Sequence, residues 1–107
     1  MTSLLSNSDS SIQDVNRLIH EPNRLMIMAQ LYIVESADFL FLQNQIGLTP
    51  GNLSAHLNKL ESSGYVEVAK EFIDRKPHTV LALTKKGREA FNDYLIKVRN
   101  FVGRIPG

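Results

Sequence analysis

Apolar residues recur along this chain in two rhythms, and the change of rhythm divides it into elements. Ile12, Val15 and Ile19 predict a short helix over roughly 12–20. The next segment, "PNRLMIMAQLYIVES", is apolar on nearly every side, and its length and its Leu, Met and Ala content favour a buried helix over a strand. Pro22 fits its first turn, where a missing N–H costs nothing. "ADFLFLQNQIG" reads as a very short extended piece around 37–39, then a helix closing at Gly47. In "GLTPGNLSAHLNKLESSGYV", Thr49 caps a helix, Pro50 takes its first position and Gly64 ends it. The rhythm then changes to alternation. In "YVEVAKEFI", Val66, Val68 and Phe72 fall on one face, Glu67 and Glu71 on the other. "TVLALT" is a second strand, and "DRKPH" between the two is a polar turn, so the pair forms a hairpin. Thr84 caps a last helix over about 84–102. The first eleven residues contain five serines and read as a flexible tail, which leaves one domain over 12–107. The fold class expected is mainly α with a small β-hairpin.

The helix beginning at Pro50 bears the chemistry. At about 100° per residue, Leu53, Leu57 and Leu60 share one face and point to a core. Opposite them lie Gly51, Ala55, Asn58 and Ser62, flanked by Asn52 and Lys59 on one side and Ser54 on the other. Small residues let another surface approach the helix backbone, and amides, hydroxyls and a lysine can donate to bases and phosphates. An ordinary solvated face carries Glu–Lys pairs, whereas Glu61 is this helix's one acid. The preceding helix joins it through "GLT", a tight helix–turn–helix whose second helix is the natural groove reader. The hairpin that follows carries Arg75 and Lys76 at its tip. Helix–turn–helix plus basic hairpin is the winged-helix arrangement, and double-stranded DNA is the partner it predicts.

From "HEPNRLMIMAQLY" to "LTKKGREAFNDYLIKVRNFV", the chain resembles winged-helix transcriptional regulators of the MarR/ArsR superfamily. The words "GLTxGNLSxHLxKLExxGYVE" and "LTxxGRxAFxxYL" carry the resemblance, over about residues 17 to 102. It implies a homodimeric, sequence-specific DNA-binding regulator of a prokaryotic cytoplasm, commonly a repressor, acting on a pseudo-palindromic operator. It puts recognition-helix positions on Thr49, Pro50, Gly51, Asn52, Ser54, Ala55, His56 and Lys59, and wing positions on Arg75, Lys76 and His78. Related regulators often carry Gln or Arg where this chain has Pro50 and Ala55, which implies a more shape-dependent specificity. A small-molecule effector is a further partner that the resemblance leaves open.

The last helix places Phe91, Tyr94, Val98, Phe101 and Ile105 at alternating steps of three and four, widened by Leu95 and Val102. That heptad-spaced seam predicts a two-helix dimer interface formed by Phe91, Tyr94, Leu95, Val98, Phe101 and Val102, with the helix at 12–20 contributing. The competing reading folds the stripe back on the helix at 22–35. Ile96 lies off it.

Composition narrows the field further. The 107 residues, 43% hydrophobic, suit one domain with a real core. The net charge of +1 conceals an asymmetry: residues 1–48 hold two basic residues against five acidic ones, and 49–107 hold ten against six. The basic excess falls on the half with the helix–turn–helix and hairpin. No cysteine is present, which removes disulfides, thiolate metal sites and cysteine nucleophiles. His20, His56 and His78 lack metal-site spacing, so no metal and no cofactor are expected. Ser54 and His56, two apart on a helix, do not face each other, and "GLTPGN" lacks the ending of a phosphate loop, so no enzyme is expected. No apolar run is long enough to span a membrane and no signal peptide is evident, so the expected location is cytoplasmic. The alternative function is a winged-helix module that docks on proteins rather than DNA.

Overall fold

The computed structural model describes residues 12–107, so the serine-rich stretch 1–11 lies outside the described residues. A 3-10 turn, Ile12–Asp14, precedes four helices and three strands: α1 Pro22–Ile33, β1 Ala37–Asp38, α2 Phe39–Ile46, α3 Pro50–Ser62, β2 Val66–Ile73, β3 Lys76–Leu83 and α4 Lys85–Gly103. The strands form one antiparallel sheet in the order β1-β3-β2.

The helix boundaries follow from local chemistry. Pro50 opens α3 and the Thr49 hydroxyl accepts from the Asn52 N–H at 3.1 Å, meeting one of the donors a helix start leaves unpaired. Gly47 (φ 79°) and Gly64 (φ 83°) take the left-handed conformation that lets α2 and α3 stop abruptly. The first of these makes the turn between α2 and α3.

Two expectations are corrected. Residues 12–20 do not form a continuous helix. The Asn16 side-chain oxygen accepts from the N–H groups of Leu18 (2.9 Å) and Ile19 (3.2 Å), a local turn that competes with helical pairing. The apolar pattern is still spent on burial, because Val15 and Ile19 lie in the core. The polar turn expected over 74–78 is also shorter. Asp74 and Arg75 alone make it, both with positive φ (51° and 68°), as a two-residue hairpin turn that matches strand twist requires. Lys76, Pro77 and His78 belong to β3. Pro77 is tolerated there because β1 pairs with β3 only at Val80 and Leu81, which leaves β3 an open edge beside the proline.

The core lies where α1, α2 and α3 meet the sheet. Ile19, Ile27, Met28, Leu31, Leu42, Leu53, Leu60 and Leu81 are fully buried in it. Phe91 and Tyr94 of α4 close its side at 3% exposure each, with Phe91 against Tyr32 at 5.2 Å between ring centroids. The Tyr94 hydroxyl bonds to His20 Nδ1 at 2.8 Å, and burial raises its pKa. Among the described residues no helix is long and apolar enough to cross a membrane.

Candidate nucleic-acid interface

α3 presents two faces of opposite character. Leu53, Leu57 and Leu60 anchor it in the core. Gly51, Asn52, Ser54, Ala55, Asn58 and Lys59 are all exposed, as are Thr49 and Pro50 at its start. The outer face from Thr49 to Lys59 therefore holds hydroxyls, amides and one cation, with Glu61 a half-turn further on.

His56 differs from its neighbours. It is 19% exposed and turns toward the start of α1, where Arg24 Nη1 lies 3.2 Å from its Nδ1. A guanidinium only donates, so Nδ1 accepts and the ring's proton sits on Nε2. Arg24 also donates through Nε to the Leu18 carbonyl at 2.6 Å, and its backbone N–H donates to Glu21 at 2.7 Å. Partial burial opposes ionisation of Glu21. The N–H groups of Arg24 and Asn23, with the charge of Arg24, outweigh that and hold its carboxyl below the ordinary range. Glu21, Arg24 and His56 thus form a brace that orients α3 against α1. Nothing in their sequence spacing marks it.

The wing is the β2–β3 hairpin. Arg75 sits in its turn, Lys76 is exposed beside it, and His78 is half-buried nearer the body. His78 Nδ1 lies 2.6 Å from Asp38 Oδ2, while Asp38 Oδ1 accepts from the Leu40 N–H at 2.8 Å as the cap of α2. The bond to His78 is the main reason that the Asp38 carboxyl titrates below its ordinary value. Between α3 and the hairpin lies a cleft of about 260 Å3, lined by Phe39, Ser54, Leu57, Asn58, Glu61, Val68 and Thr79. The side of the hairpin that bears Val68 and Thr79 is therefore the side turned toward α3.

The residues expected on the recognition helix are exposed along α3 and those expected on the wing lie in or near the hairpin turn, except that His56 points inward and His78 is tethered to Asp38. The expected dimer residues divide differently. Phe91 and Tyr94 are consumed by the chain's own core, and Leu95, Val98 and Phe101 are half-buried. Val102 (57%) and Ile105 (51%) are exposed, as is Ile96. Among the described residues no group of three His, Cys, Asp or Glu side chains could hold a metal ion.

The family model described as "Winged helix DNA-binding domain" matches residues 23–102. An uncharacterised protein of Methanocaldococcus jannaschii is 41% identical over 75 residues, which are 70% of this chain and 82% of that one. The solved structure of a transcriptional regulator homologue from Pyrococcus horikoshii OT3 superimposes with a TM-score of 0.78 at 34% identity, covering 82% of this chain and 87% of that one. A transcriptional regulator from Thermotoga maritima shares the fold at 21% identity, with a TM-score of 0.67 over 78% of this chain and 58% of that one.

Proposed function

This chain belongs to the winged helix DNA-binding domain family and is a MarR/ArsR-like DNA-binding regulator, and on that premise we propose that it acts as a homodimeric, sequence-specific repressor on an inverted-repeat operator. One observation carries the reading. The exposed face of α3 from Thr49 to Lys59 holds donors, acceptors and small residues, and no carboxylate. Such a face suits a DNA groove and wastes nothing on phosphate repulsion. Thr49, Pro50, Gly51, Asn52, Ser54, Ala55 and Lys59 are its contact residues. His56 acts from beneath, holding the helix at its angle. Arg75 and Lys76 supply phosphate contacts from the wing, and His78 fixes the wing's base.

Dimerisation has its own support. The apolar stripe of α4 starts in the core at Phe91 and Tyr94 and continues through Val98 and Phe101 to Val102, and Ile105 follows just past the helix end, exposed. It outlasts the body that it packs against. A second copy of α4 is the natural cover for the remainder. Two α3 helices related by a two-fold axis would read half-sites about 34 to 36 Å apart, one turn of DNA. A dimer seated there represses by occupying the promoter.

Selection of bound duplexes from a random pool, followed by footprinting, tests this reading. An inverted repeat with about one turn between half-site centres is the expected result. A single asymmetric half-site would remove the symmetric dimer, and failure to retain any duplex at low salt would remove DNA recognition itself.

A further inference from the structure

The wing tip is more apolar than phosphate contacts require. Phe72 is 80% exposed, Ile73 beside it is 45% exposed, and Pro77, exposed as well, pairs with Phe72 across the hairpin. A phenyl ring held in water forgoes the burial that large rings gain, so this ring wants a partner outside the chain.

Its direction follows from strand alternation. Val66 and Val68 alternate with Phe72 on β2, so the three share one face, and Lys70 lies on it between them. On β3 the same face carries Leu81, Thr79 and Pro77. Val68 and Thr79 line the cleft under α3, so Phe72 and Pro77 continue the α3-facing side of the hairpin past the edge of the body. Glu71 falls on the other face, paired with His78. The acids are thus turned away or, as with Asp74, confined to the turn, while Lys70 shares the ring's face, Arg75 lies in the turn just beyond it, and Lys76 stands opposite Ile73 on the far face of the tip.

The reach also fits. Four residues from Val68 to Phe72 extend about 13 Å at a strand rise of about 3.3 Å. From a major groove to the neighbouring minor groove is half a turn of DNA, about 17 Å. The side chains of Phe72 and Arg75 cover the remainder. The tip is held firmly, because strand pairing runs up to Ile73 and Lys76 and the turn closes on two residues at positive φ without a glycine. A small apolar wedge flanked by cations on a stiff ribbon is the kind of element that enters a minor groove and unstacks a base step.

We propose that the wing tip is a DNA-bending wedge: with α3 in the major groove, Phe72 enters the adjacent minor groove and inserts at a base step, backed by Pro77, while Lys70, Arg75 and Lys76 hold the phosphates on either side. This rests on the reading of the protein as a DNA-binding regulator. The test uses the full chain and a selected duplex labelled at its ends with a donor and acceptor dye, with 2-aminopurine at successive positions under the wing. Wild-type protein bends the duplex by about 20° or more and brightens 2-aminopurine at one step. Phe72→Ser, at a site exposed enough to leave the melting temperature unchanged, still binds with the same salt dependence but leaves the duplex straight and the probe dark. Phe72→Trp restores the bend, and its indole fluorescence is quenched on binding. Wild-type binding without a bend overturns the wedge and leaves DNA recognition standing, as does a bend that Phe72→Ser preserves. If Phe72→Ser changes the oligomeric state instead, the tip is a protein contact and the wedge is wrong. If no duplex is bound at all, both readings fall together.

Discussion

The Asp38 carboxylate bonds to His78 of the wing at 2.6 Å through one oxygen and caps α2 with the other. One side chain thus couples the helix–turn–helix to the hairpin. The bond to His78 lowers the Asp38 pKa beneath its ordinary 3.8. A depressed carboxylate contributes stability that is present above the ordinary value and lost as pH falls through the folded one. Asparagine caps helices about as well as aspartate, so Asp38→Asn removes mainly the charged contact with His78. The variant should melt below the wild type at pH 7, and the gap should narrow as the pH falls below the ordinary carboxylate value of 3.8. A gap that stays constant on acidification would show that the Asp38–His78 contact contributes nothing.

Gly87 of α4 lies directly on the Tyr65 backbone. A Cβ there would stand 2.8 Å from the Tyr65 carbonyl carbon and 2.9 Å from its Cα, and closer still to the carbonyl oxygen. That oxygen already accepts from the Thr84 N–H at 3.0 Å and cannot move freely. Alanine would gain up to about 1 kcal/mol in helix propensity, but overpacking against backbone costs about 1 to 3 kcal/mol. Gly87→Ala should therefore lower the melting temperature by several degrees. Gly103→Ala, where a Cβ meets nothing within 4 Å, serves as control and should not destabilise. Equal melting of both variants would remove the packing argument.

What could be read in advance was local. Thr49, Pro50 and Gly64 announce the ends of α3, and the spacing of Leu53, Leu57 and Leu60 announces its buried face, because caps and periodicity act within a few residues. Long-range pairings were not legible. Asp38 meets His78 across 40 positions and Arg24 meets His56 across 32, and no spacing rule connects them. Residues 12–20 have helical apolar spacing, yet the Asn16 side chain takes the N–H groups that a helix needs. Periodicity in α4 likewise does not distinguish a partner from the chain's own body. Phe91 and Tyr94 proved to serve the body, while Val102 in the same stripe and Ile105 just past the helix end stay exposed.

That division directs the test of the dimer. Val102→Glu combined with Ile105→Glu alters residues already exposed in the single chain, so each protomer should keep its fold. In a covered seam the same charges would be buried without partners, at a cost of several kcal/mol. Light scattering should report a dimer for the wild type and a monomer for the double variant, with unchanged helical circular dichroism. A wild type that is monomeric at micromolar concentration would sink the seam.

The two DNA-facing elements should separate by salt dependence. Arg75 and Lys76 are long cations at a hairpin tip, and contacts from such residues go to phosphates and release counterions. Replacing both by Ala should weaken binding to selected and random duplexes alike and flatten the slope of log K against log salt by up to about two units. Asn52 lies exposed in the first turn of α3, its backbone N–H already taken by Thr49, and its amide suits the paired donor and acceptor of adenine. Asn52→Ala should cost roughly 1 to 3 kcal/mol on the selected duplex and little on random DNA. The salt slope should hardly change, because no charge is lost. Titrations of both variants on both duplexes at three salt concentrations decide between the roles. If the wing variant loses sequence preference while Asn52→Ala merely lowers affinity everywhere, wing and helix have exchanged functions.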